Sequence, residues 1–108
     1  MNREIKFRAW DADSRPPRMI EGNEIQHLSL IYIERASMPL MQYTGLKDKN
    51  GVEIYEGDIV EHGEVRWHEG GFCLYVESTN QEPTKMTGDR CRRWQILGNI
   101  HQNPELLT

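Results

Sequence analysis

Between Gln42 and Val60 the chain reads Gln-Tyr-Thr-Gly-Leu-Lys-Asp-Lys-Asn-Gly-Val-Glu-Ile-Tyr-Glu-Gly-Asp-Ile-Val, and turn residues alternate with strand formers at intervals that suit short strands. Asn50-Gly51 is the tightest constraint, because a two-residue type I′ turn needs positive φ at both central positions, which Asn tolerates and Gly accepts freely. A reversal at 49–52 is therefore expected. Gly45 is expected to end the run Met41 to Thr44, and Gly57-Asp58 stands just ahead of Ile59-Val60, where a second turn would launch a strand. Tyr43, Gly45, Asn50, Gly51, Tyr55, Gly57 and Asp58 are accordingly read as scaffold, with Ile54, Ile59 and Val60 supplying core. Glu53, Glu56 and Asp58 could instead form a carboxylate site. However, Asp or Glu beside Gly is what ordinary turn chemistry demands, and no Asp-x-Asp-x-Asx-Gly loop occurs.

The flanking sequence continues the short-strand pattern. From Glu4 to Trp10, Ile5, Phe7 and Ala9 fall on one face and Glu4, Lys6, Arg8 and Trp10 on the other, the alternation of a half-buried strand. Paired Pro16-Pro17 marks a loop before a short Arg18-Met19-Ile20 strand. Ile25 to Ile33 is ambiguous: Ile25, Leu28 and Tyr32 suit a helical stripe, while Ile31 and Ile33 favour strand, the preferred reading. Ile59 to Trp67 reads as two strands around Glu61-His62-Gly63-Glu64, with Val65 and Trp67 on one face of the second. Phe72 to Val76 is another strand. The polar run Ser78 to Asp89 reads as a surface loop. Trp94 to Ile100 completes the pattern with a bulge or bend at Gly98-Asn99, and Asn103-Pro104-Glu105 reads as a capped helical start.

Many short strands with closely spaced turns predict a mainly β fold, a small barrel or curled sheet with an N-terminal strand extension and a short C-terminal helical turn. At 108 residues the chain suits one domain, divided into an N-terminal β segment (1–41) and a barrel-like portion (42–108). The formal net charge of −4 does not advertise binding to nucleic acid or anionic membranes. No apolar run approaches the length of a membrane span or a signal-peptide core, so cytoplasmic residence is expected. Two cysteines, Cys73 and Cys91, are too few for a disulfide scaffold.

The chemistry-bearing residues give no strong site. His27, His62, His68 and His101 lie in different segments without metal-ligand spacing, although His62, His68 and Cys73 could approach one another across a hairpin. Cys91 lies between Arg90 and Arg92-Arg93, and cationic neighbours lower a thiol pKa, which marks it as the more reactive thiol. The same arginines beside Trp94 make the best local case for a ligand, because guanidinium groups pair with phosphates and an aromatic face can stack a base. The competing reading has Arg90, Arg92 and Arg93 solvating one face of a strand while Trp94 packs inward. Trp10, on the charged face of the first strand, could stack on Arg8 or fill a subunit interface.

Three blocks, the stretch from Gln42 to Val60, Arg3-Glu4-Ile5-Lys6-Phe7-Arg8-Ala9-Trp10-Asp11 with Arg18-Met19-Ile20, and Ile96-Leu97-Gly98-Asn99-Ile100-His101-Gln102-Asn103-Pro104-Glu105-Leu106-Leu107, together resemble the YopX-like family. Its members are small proteins encoded by bacteriophages and integrated prophages, without an established molecular activity. The resemblance implies a β-rich fold with an SH3-like barrel portion and residence in a bacterial host. The expected function is a non-enzymatic module, with no cofactor or metal, that self-associates or binds a host or phage protein. The alternative is a nucleic-acid-binding accessory module using Arg90, Arg92, Arg93 and Trp94.

Overall fold

The computed structural model describes residues 6–26, 38–68, 70–75 and 84–107. Its elements are β1 (Phe7–Asp11), β2 (Arg18–Ile20), α1 (Asn23–Gln26), β3 (Leu40–Lys47), β4 (Glu53–Tyr55), β5 (Asp58–Val60), β6 (Gly63–His68), β7 (Gly71–Tyr75), β8 (Thr84–Lys85), α2 (Gly88–Cys91), β9 (Ile96–Asn99) and a 3-10 turn (Pro104–Leu107). The fold is mainly β, as the sequence predicts. Two antiparallel sheets run in the orders β2-β1-β3-β4 and β8-β7-β6-β5-β9. Among the described residues no helix is long and apolar enough to cross a membrane. The chain divides into two compact units, Met1–Tyr43 and Thr44–Thr108.

In the first unit β1 is the central strand, with Ala9 opposite both Ile20 of β2 and Leu40 of β3. The predicted alternation holds in phase but not in burial. Ala9 is buried, yet so is Arg8 on the other face, while Phe7 is exposed. Arg8 stands in register with Met41, and its long aliphatic stem allows this burial. Lys6 places its Nζ 5.4 Å from the Tyr43 ring centroid, and the Tyr43 N–H donates to the Lys6 carbonyl. Asn23–Gln26 forms a helical turn, so the preferred strand reading is wrong where it reaches Ile25 and Gln26. The rest of that stretch, with His27, lies outside the described residues.

The second unit holds the larger core, built from Ile54, Val60, Val65, Phe72, Leu74, Met86, Cys91 and Trp94, with Leu46 and Ile96 against it. Register explains this composition. Val65 pairs with Leu74, Trp67 with Phe72 and Val60 with Ile96, so these strands gather apolar side chains on one sheet face. Gly45 has φ +86° and does not end its strand, because β3 runs on to Lys47 and the Leu46 N–H turns back to Thr44 Oγ1 at 3.1 Å. Gly57, also at positive φ, is held on both sides: its N–H donates to the Val65 carbonyl and its carbonyl accepts from Ile100 N–H. The expected bulge in β9 falls at Leu97, where the pairing jumps from Ile59–Gly98 to Val60–Ile96.

The run Ser78 to Asp89 is more structured than a surface loop from residue 84 onward. β8 pairs with β7, the Met86 N–H donates to the Phe72 carbonyl, and α2 follows with Thr87 as its N-cap, its hydroxyl accepting from Arg90 N–H at 3.3 Å. A short polar strand can form there because β7 supplies an open edge, and Met86 anchors it in the core.

Candidate functional site

The signature stretch is a scaffold, but the residue that does most of its work, Asp48, carries no mark in the sequence. The hairpin closes by a Gly51 N–H to Asp48 carbonyl bond of 3.0 Å and an Asp48 N–H to Val52 carbonyl bond of 2.9 Å. Gly51 has φ +78°. This is a three-residue loop ending in a glycine bulge, not the two-residue turn at 49–52 that Asn-Gly suggests. The shift follows from Asp48, whose Oδ1 accepts from Asn50 N–H at 2.8 Å and Val52 N–H at 3.0 Å, while Oδ2 accepts from Ile96 N–H at 3.0 Å. The side chain is buried. Burial acts most strongly and opposes its charge, but the Ile96, Val52 and Asn50 donors together outweigh it and hold the carboxyl below its ordinary range.

A second carboxylate grips the same segment. Glu61 Oε1 accepts from Gln95 N–H at 2.7 Å, and this bond holds the Glu61 carboxyl below its ordinary range. Lys49 N–H also donates to the Trp94 carbonyl at 2.9 Å, so Trp94 and Ile96 are tied to the 48–52 hairpin and Gln95, between them, to the β5–β6 turn. Asp58 is likewise structural, its Oδ2 accepting from the Tyr55 N–H at 2.8 Å in a buried turn. Among the described residues no group of three or more His, Cys, Asp or Glu is placed to hold a metal ion.

Around α2 the structure separates residues that the sequence groups together. Arg90, Arg92 and Arg93 are all exposed, on a helical turn and its C-terminal end rather than on a strand. Trp94, at 7% exposure, belongs to the core, so the ring next to the arginines is covered and offers no face for a base. Cys91 is fully buried, and burial pushes its thiol up to about 11. The expectation of a reactive thiol is therefore corrected: the arginines turn outward while the sulfur sits among apolar side chains, and desolvation prevails over their charge.

The exposed aromatic that stands out is Trp67, which the sequence places on one face with Val65. Both do face the apolar side of β6, but Val65 is fully buried whereas Trp67, next to the Gly70-Gly71 turn, is 50% exposed. Phe72 fixes it edge-on at a centroid distance of 4.9 Å and an interplanar angle of 83°. On the opposite face Arg66 lies over the Tyr75 ring at 4.0 Å and pairs with Glu64 at 3.0 Å. Trp10, the candidate from the first strand, is half-buried in its own unit. What could have singled out Trp67 is its place at the end of a strand, one turn from a Gly-Gly pair, beyond the last core layer.

Val52 and Leu97 are also half-exposed, on either side of the Asp48 clamp: Val52 donates to it, and Leu97 follows Ile96, which does the same. At the C-terminal end Asn99 organises the chain, its Oδ1 accepting from His101 and Gln102 N–H groups at 3.0 and 2.9 Å. Asn103 does not cap the 3-10 turn with its side chain, which instead accepts from Asn99 N–H at 3.3 Å.

Comparison with known proteins agrees with this architecture. Among curated proteins none matches the chain. The crystal structure of protein EF1440 from Enterococcus faecalis is similar, with a TM-score of 0.61 and 25% sequence identity, over 99% of this chain and all of the other. The model of the YopX protein family matches residues 14–108, which takes in the signature hairpin, the Asp48 clamp and the Asn99 turn, and the chain belongs to that family.

Proposed function

We propose that the protein is a non-enzymatic accessory module of phage or prophage origin that works in the cytoplasm by binding protein, either a second copy of itself or a host or phage chain. The observation that supports this reading is Trp67. A half-exposed tryptophan held in one orientation by Phe72 loses little side-chain entropy on binding, and tryptophan is the residue type most enriched among binding hot spots. It sits on a paired hairpin rather than a loose loop, so the surface is formed before the partner arrives. Half-exposed Val52 and Leu97 add apolar area to the same unit.

Sedimentation velocity over a range of concentrations, together with crosslinking in lysate of induced or infected cells, tests the reading against a Trp67→Ala variant. Concentration-dependent association, or a crosslinked partner, that disappears in the variant is the expected result. A strict monomer with no crosslinked partner, or complexes unaffected by the substitution, would discard it.

A further inference from the structure

A basic ridge runs around α2, and it includes more than the sequence-adjacent arginines. Arg90 Nη1 donates to the Lys85 carbonyl at 3.4 Å, which places Lys85 of β8 beside the turn. Lys49 N–H donates to the Trp94 carbonyl, which brings the tip of the 48–52 hairpin next to Arg93. Lys49, Lys85, Arg90, Arg92 and Arg93 are all exposed, and none forms an ion pair with a described residue. Among the described residues the acidic neighbours are Asp89 on the same turn, and Asp48 and Glu61, whose carboxylates act on Lys49 while accepting from the Ile96 and Gln95 N–H groups. In a chain whose net charge is −4, this concentration of cations is a local reversal of sign.

We infer that this ridge binds the phosphate backbone of double-stranded nucleic acid, independently of the Trp67 surface. Guanidinium and ammonium groups gathered around one helical turn suit phosphates, with the arginines able to make bidentate contacts. Single-strand binders pair such charge with aromatic platforms for stacking bases. Here Trp94, the aromatic next to the arginines, is in the core, so the ridge presents charge alone. Charge alone reads backbone and not sequence. The binding is therefore sequence-independent and strongly dependent on salt.

The test is fluorescence anisotropy with a mixed-sequence 30-base-pair duplex in the range of about 25–200 mM salt, on the full chain. With up to five phosphates neutralised, the slope of log K against log salt is expected between about −3 and −4.5. An Arg92→Ala, Arg93→Ala variant should reduce the slope by about two and weaken low-salt binding about tenfold or more, and Lys49→Ala, on a different element, should reduce the slope by about one. Arg18→Ala, in the other unit, should leave the slope unchanged. Circular dichroism of each variant confirms that the fold is intact. Any one of four results overturns the proposal: no duplex binding at low salt, a slope insensitive to the ridge substitutions, tighter binding to single strands of the same length, or binding to phosphatidylserine vesicles without binding to duplex.

Discussion

Asp48 shows how one side chain can decide a local conformation that neighbouring residues only permit. Asn50-Gly51 allows the chain to reverse, and Asp48 determines where, because its carboxylate collects the Asn50 and Val52 N–H groups of the loop. The Ile96 N–H then ties the loop to a segment far along the chain. Removing the carboxylate leaves three backbone donors without their charged acceptor. Water can reach the two in the loop in part, but the Ile96 donor is more enclosed. Asp48→Ala is expected to destabilise the protein by about 3 kcal/mol in a urea titration, and Asp48→Asn by about 1–2 kcal/mol, since one amide oxygen can still accept in the loop. Cys91 illustrates the opposite relation between neighbours and chemistry. Three flanking arginines would activate it if it shared their surroundings, but it points into the core. Iodoacetamide labelling at pH 8 followed by peptide mapping should leave Cys91 unmodified in the folded protein and modify it readily in urea. Rapid labelling without denaturant would contradict its placement.

At the scale of elements, what can be read from sequence divides along the range of the interactions that make each piece. β2 at Arg18–Ile20 and the β5–β6 hairpin follow from patterns a few residues long, and they form where those patterns predict. The inward position of Trp94 is likewise foreshadowed by the inward-facing alternative for that strand. β8 and α2 are not legible, because the polar residues there acquire structure only from the open edge of β7 and the burial of Met86. The Asp48–Ile96 bond is hidden for the same reason. The C-terminal turn combines both kinds of information. Gly98 looks like a generic bend, but a Cβ there would lie 2.3 Å from Asn103 Oδ1 and 2.7 Å from its Cγ. Glycine is required by that side chain, which also accepts from the Asn99 N–H. Gly98→Ala should therefore cost about 1–3 kcal/mol. Asn103→Ala alone should cost about 1 kcal/mol for the lost hydrogen bond. Combining them should be less harmful than their sum by more than about 0.5 kcal/mol, since the second change removes the atoms the first one meets. Strict additivity in a double-mutant cycle by thermal denaturation would show that the crowding does not govern this turn.

For the molecule as a whole, the titratable groups that the fold perturbs set the limits of its stability in pH. Asp48 and Glu61 have carboxyls held below their ordinary range, so the folded state keeps them charged more readily than the unfolded state does. The stability they contribute is present above the unfolded carboxylate pKa, about 4, and is lost as pH falls through their folded values. Cys91 acts at the other end. Its thiol is raised from an ordinary 9.0 to about 11, so the folded state holds a proton that the unfolded state releases, and stability declines as pH rises from about 9 towards 11. Between those limits the three groups give no slope, and a plateau across neutral pH is expected. Urea midpoints measured from pH 2.5 to 10.5 check this, with one substitution for each limb. Asp48→Asn should lower the plateau and flatten the acid limb, since the amide does not titrate. Cys91→Ala should leave the acid limb as it is and flatten the alkaline one, apart from a uniform offset for the small cavity. Because Asp48 and Cys91 lie in the same compact unit, both limbs report on one cooperative core, and the wild-type m-value should stay constant across the plateau. An acid limb that keeps its steepness in Asp48→Asn would move the acid sensitivity of the fold away from the hairpin clamp.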